Sequence, residues 1–163
     1  MNESIERGKL HRYLSEHHVG SIAGVEHFAS ARRMWAGTPH EAFFESLWDQ
    51  VSDDQNDLEL LLKKLGYTPH GLARLAAPWA HLLGKINVLN PLRQKQKTLT
   101  QSQIDVLIGL LNAKLSMWRT LLLMVDKEPQ LDEGLLHDLQ HRAQSQIHQL
   151  TEFSDTSWAE RFR

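Results

Sequence analysis

Cysteine is absent from all 163 residues. That excludes disulfides, thiolate-held iron–sulfur clusters and thiolate zinc sites. Charge of one sign is lacking too, since 18 basic and 20 acidic side chains leave a net charge of -2. Such a chain offers no electrostatic footprint for nucleic acid or an anionic membrane, although its ten histidines would alter the balance below about pH 6. Long hydrophobic runs are missing as well. The densest, residues 121–125, is far too short to span a bilayer. The stretch MNESIERGKLHRY is charged and lacks the apolar core of a signal peptide, so the expected location is the cytoplasm. No strand-like alternation, glycine-rich phosphate loop or nucleophile elbow occurs.

What is present is helical periodicity, in a chain long enough for one well-cored domain. A first helix is predicted over residues 3–36, stopped by Gly37 as a left-handed terminator. Thr38-Pro39-His40-Glu41 then reads as a capping box with proline at the first helical position, which makes a tight antiparallel hairpin. The second helix carries Phe44, Leu47, Val51, Leu58, Leu61 and Leu62 on one broad face and ends at Gly66 after Lys63 and Lys64. The connection over residues 67–99 is too long for a bare loop. It contains its own amphipathic helix, striped by Leu72, Leu75, Trp79, Leu83 and Ile86 and interrupted by Pro78. Thr100 and Gln103 form a second capping box, and the third helix follows with Leu107, Leu111, Leu115, Trp118 and Leu122 inward. The fourth is predicted over residues 132–152, with Leu136, Leu139, Ala143, Ile147 and Leu150 as its inner face. The expected organisation is a single helical bundle domain over residues 1–153 and a weakly structured tail over 154–163, whose Trp158 and Phe162 suggest a docking role.

Two antiparallel helix pairs joined by one long crossover define an all-α, four-helix bundle of the ferritin-like kind, with an extra amphipathic helix in the crossover. The chain resembles the ferritin-like superfamily in this organisation over nearly its whole length. The segments HRYLSEHHVGSIAGVEHFA and KLSMWRTLL also look like uncharacterised bacterial ferritin-like proteins that lack the di-iron motif. The resemblance implies a fold and no established activity.

Asp54 interrupts the apolar stripe of the second helix. In a hairpin turning at Gly37 and Thr38 it faces Ser21, with His17 about one turn away. The crossover makes helices two and three parallel, so Lys114 should stand level with Asp54, and the second hairpin sets Arg142 opposite Lys114. The expected polar layer is therefore His17, Ser21, Asp54 and Lys114, with Arg142 at its edge. Ferritin-like oxidases need a carboxylate from each of two helices and a Glu-x-x-His pair from each of the others. No Glu-x-x-His occurs here, and a lysine ammonium beside the site opposes a dication. A structural ion pair fixing helix register is the reading favoured over a catalytic pair.

Secondary metal candidates are His17, Glu26 and Asp54, together with the i, i+4 pair His137 and His141 on a solvent-facing stripe that His148 extends. Asp53, Asp57 and Glu59 read as a solvated helix face whose one inward member is Asp54, and Arg93, Lys95 and Lys97 as a solvated connector. The leading expectation is an interaction or structural module that is no enzyme and holds no cofactor. It self-associates, a dimer being favoured, through sides carrying Val19, Ile22, Leu110 and Leu121. Neither nucleic acid nor membrane is a partner, and no protein partner is indicated. From another class comes a metal-binding or metal-dependent oxidase or storage protein with a reduced ligand set and iron, manganese or zinc. A third reading is a small-molecule binding bundle with its ligand around Gly20, Gly24 and Trp118.

Overall fold

The structure, a computed structural model, describes residues 4–67 and 101–163. The described residues form four long helices, α1 (Arg7–Trp35), α2 (Glu41–Lys64), α3 (Gln101–Leu122) and α4 (Glu133–Thr156), followed by a short α5 (Ala159–Phe162). No strand occurs among the described residues, and none of their helices is long and apolar enough to cross a membrane. The amphipathic crossover helix, the Thr100 cap and the basic run at Arg93, Lys95 and Lys97 lie outside the described residues.

The first helix begins later than predicted. Ser4 to Glu6 are non-helical, with Glu6 as an extended cap residue, and Ile5 packs against the core instead of continuing the helix. At the other end Gly37 has φ of 74°, a conformation that costs a side chain but not glycine. The expected capping box is displaced. Thr38 Oγ1 donates to the Trp35 carbonyl at 2.7 Å and accepts from His40 N at 3.2 Å, while the Glu41 carboxylate accepts from Gly37 N at 2.9 Å. Thr38 to His40 thus belong to the turn, and α2 starts at Glu41 rather than Pro39. This longer turn moves the hairpin register by about half a helical turn, so that His18 meets Glu59 and Arg32 meets Glu45.

α1 packs along α2, α3 packs along α4, and α1 also crosses α3. Among the described residues the core falls into two apolar clusters. One holds Leu10, Leu14, Leu58, Trp118, Leu136 and Leu139. The other holds Phe28, Trp35, Phe44, Leu107, Leu111 and Leu150. Each fully buried leucine contributes about 2 kcal/mol by leaving water. Along α2, Val51 belongs to the second cluster and Leu58 to the first; along α3, Leu111 belongs to the second and Leu115 to the first. Both helices therefore run in the same direction, so α2 ends and α3 begins at opposite ends of the bundle.

Two further differences concern the later half. Leu121, expected on an outer side, is fully buried in the core, because α3 turns a wider face inward than the predicted stripe and buries Met117 as well. The helix expected to stop near residue 152 continues to Thr156, since Phe153 is buried and holds the last turn against Trp35 and Phe43. The tail is ordered by Arg161, which donates to Gln101 at 2.9 Å and to Ser157 Oγ at 2.7 Å, and by His40 against Glu160 at 3.1 Å. Trp158 and Phe162, the residues expected to dock, are exposed.

Candidate functional site

The two apolar clusters are divided by a polar level. On α2 it falls between Val51 and Leu58, on α3 between Leu111 and Leu115, and on α4 between Ala143 and Leu150. Each helix contributes a residue there because a polar side chain replaces one member of its apolar stripe. α2 supplies Asp54, whose side chain is fully buried, and α3 supplies Lys114, 14% exposed. Lys114 Nζ donates to Asp54 Oδ2 at 2.5 Å and to Gln146 Oε1 at 2.5 Å, and Gln146 Nε2 donates back to Asp54 Oδ2 at 2.8 Å. The three groups close a ring of hydrogen bonds spanning α2, α3 and α4. Arg142 joins from α4 with its Nε 3.2 Å from Asp54 Oδ1, without hydrogen-bond alignment, and its Nη2 donating to Asp57. The network is neutral in sum, two carboxylates against two cations.

Its electrostatics follow from burial. Desolvation pulls the Lys114 pKa down from the ordinary lysine value, and the Asp54 carboxylate offsets part of that. Burial also acts against the Arg142 guanidinium, but its bond to Asp57 and the charge of Asp54 outweigh it, so its pKa is raised. A buried pair of this kind gains from mutual attraction only when its remaining bonds are met, which is the part Gln146 plays.

α1 does not share in the ring. His17, expected in the layer, is half-buried and packs edge-on against Tyr13 at 4.7 Å, and burial lowers its pKa below the ordinary 6.5, with Glu16 opposing. Ser21 Oγ turns back onto its own helix and donates to the His18 carbonyl at 2.7 Å. The shifted hairpin register explains both departures. Among the described histidines His18, 3% exposed, is buried where His17 is only half-buried. His18 Nε2 lies 3.2 Å from Glu59 Oε1, the oxygen that also accepts from Gln55 at 2.8 Å. The bonds from His18 and Gln55 hold the Glu59 carboxyl below its usual range. Glu59 and Asp57 are thus engaged residues of α2, not members of a free acidic face.

Between the α1 wall and the ring lies a partly open pocket of about 70 Å³ lined by α1, α2 and α3. Gly20 and Gly24 of α1, Leu58 of α2 and Met117 and Trp118 of α3 line it. His17, Ser21, Asp54 and Lys114 line it too, so the expected layer residues share a pocket although α1 contributes no bond to the ring.

The other metal candidates are dispersed. Glu26 is exposed and paired with Arg33 at 3.0 Å. His137 is exposed with Glu133 3.8 Å away, and His141 is exposed one turn further on. Among the described residues, no three His, Asp or Glu side chains converge as a ligand set. Sequence reasoning missed Gln146, Asp57, His18 and Glu59 as site members. Gln146 carried the same signal as Asp54, a polar residue at helical spacing between Ala143 and Leu150, but Ile147 was the apolar choice for that place.

Comparison with known proteins gives no matching family model, no matching curated protein and no matching solved structure.

Proposed function

We propose that the protein is a non-enzymatic ferritin-like bundle that works as an interaction or structural module. On this reading a charge network stands where the di-iron members of that superfamily hold metal. One observation carries it: Lys114 Nζ lies 2.5 Å from Asp54 Oδ2 at the mid-bundle level. An ammonium there repels a dication, and both oxygens of Asp54 already face cations. The parallel run of α2 and α3 and the long connection between them support the ferritin-like assignment. A bacterial, cytoplasmic setting belongs to the same reading, from the resemblance and the absence of cysteine.

Elemental analysis of protein purified without a histidine tag and soaked in iron, manganese or zinc tests the proposal. The expected metal content is well below one ion per chain. Stoichiometric metal that disappears in Asp54→Ala would replace this reading with the metal-binding one, on His17, Asp54 and Glu26. Self-association as a dimer is the second part, supported by Ile22, 52% exposed on the outer flank of α1 beside Val19. Light scattering after size exclusion should give a dimer that Ile22→Glu converts to monomer; a wild type that is monomeric throughout contradicts it.

A further inference from the structure

Among the described lysines, Lys9, Lys63, Lys64 and Lys127 are exposed and Lys114 alone is not. Its side chain still keeps 14% of its surface, whereas that of Asp54 keeps none, and it borders the partly open pocket beside α1. An amine in that position differs from a surface lysine in two ways. Burial lowers its pKa, Asp54 opposes this, and the Arg142 guanidinium lowers it further. Asp54 Oδ2, 2.5 Å from Nζ, also stands where it can hold the proton that must leave before the nitrogen lone pair is free. A desolvated lysine of this kind is the usual amine for bonding to a carbonyl carbon.

The walls and the ring define what reaches that amine. Phe28, Leu58 and Met117 give the pocket an apolar lining. The ring is already neutral, so a charged guest would be buried without a counterion. At about 70 Å³ the pocket is smaller than the roughly 150 Å³ of an engineered cavity that takes benzene. Charge balance then separates the classes of electrophile. An acyl donor would turn Lys114 into a neutral amide and strand the buried Asp54 carboxylate. An aldehyde leaves a protonated imine, whose nitrogen keeps the positive charge and one N–H for Asp54. The geometry points to a reversible covalent binding site at Lys114 Nζ for a small uncharged aldehyde, its alkyl body against Phe28, Leu58 and Met117. This assignment does not depend on the ferritin-like reading, and capture without turnover agrees with a non-enzymatic module.

The bonds balance without a further reactant. Nζ passes one proton to Asp54 Oδ2, and its lone pair bonds to the carbonyl carbon as the C=O π pair moves onto oxygen. That oxygen takes a proton from the nitrogen, Asp54 returns its own proton to the nitrogen, and the oxygen takes this second one as well. The C–O bond breaks, water leaves, and the nitrogen pair completes the C=N bond. Asp54 exchanges protons with Nζ alone, so the guest never has to reach the buried carboxylate.

The test is reductive alkylation of the full chain at neutral pH with propanal and sodium cyanoborohydride, followed over time by peptide mass mapping. Lys114 should be alkylated several-fold faster than the exposed Lys63 and Lys64. Pyridoxal phosphate, a bulky anionic aldehyde, should label Lys63 and Lys64 and spare Lys114. Alkylation of Lys114 that is absent, or no faster than at Lys63 and Lys64, leaves a purely structural ion pair and overturns the proposal. Pyridoxal phosphate on Lys114 as readily as on Lys63 means that the whole ring opens, and overturns it equally. A Cβ at Gly24 meets no atom of the described residues within 4 Å, so Gly24→Leu adds a side chain on the pocket wall and should slow propanal at Lys114 alone. Unchanged alkylation in a folded Gly24→Leu refutes the pocket as the route. If that variant does not fold, the two aldehydes on the wild type decide.

Discussion

Removing the ammonium from the ring gives the most discriminating perturbation of this fold. Lys114→Met keeps much of the apolar stem and strands Asp54, whose side chain is fully buried. Breaking a buried pair from one side costs about 3–5 kcal/mol. Asp54 retains the Gln146 amide at 2.8 Å and the Arg142 guanidinium at 3.2 Å, which puts the expected loss near the lower end, at about 3 kcal/mol. For a chain of this size that is a fall in Tm of roughly 6–12 °C. Combining Lys114→Met with Asp54→Leu removes the stranded carboxylate and leaves Arg142 its bond to Asp57. The Gln146 amide is then unmet, so the double variant should lie about 1–2 kcal/mol below wild type. Adding Gln146→Leu makes the level apolar, and the triple variant should return to within about 1 kcal/mol of wild type or exceed it. Urea unfolding followed by circular dichroism and tryptophan fluorescence gives all three values, provided the denaturant slopes agree. Equal losses in the single, double and triple variants would refute the coupling of these groups.

Acid stability should depend on Glu59. Its folded pKa lies below the ordinary 4.5, first through the bond from His18 and then that from Gln55, so its stabilisation is complete above 4.5 and is lost as pH falls through the lower folded value. Glu59→Gln should therefore flatten the acid limb of the stability curve, and an unchanged limb would contradict the assignment. Two glycines should respond with opposite signs. Gly37→Ala forces a side chain to φ of 74° and should cost about 1–2 kcal/mol, whereas Gly24→Ala in mid-helix should stabilise by roughly 0.5–1 kcal/mol. Urea midpoints that move the same way in both would refute the distinction.

The helices were legible because their signals are local. Gly37 and Gly66 end helices with positive φ, and Asp132 caps α4 by accepting from Leu135 N at 3.0 Å. Asp54 and Lys114 could be set at one level by counting turns from the two hairpins, since each helix advances uniformly along its axis. That counting tolerates an error of a residue or two in level but not in direction, because each residue turns the side chain by about 100°. His17 and His18 differ by one residue, and that one step decides which of them is buried. The length of α4 was hidden for a different reason. Its last turn depends on Phe153 meeting Trp35 and Phe43, contacts from a distant part of the chain that no local pattern contains.

Composition and periodicity, by themselves, determined that this chain is helical, cysteine-free and nearly neutral, with a carboxylate and an ammonium placed against its apolar stripes. Those properties belong to single helices and follow from the order of residues. Only the tertiary structure decided which polar groups meet. Gln146 closes the ring and Ser21 stays out of it, because partner choice depends on rotations and separations between helices. The pocket is likewise a product of packing. Gly20, Gly24, Asp54 and Trp118 come from three helices, and the space they share exists only once those helices are set against one another.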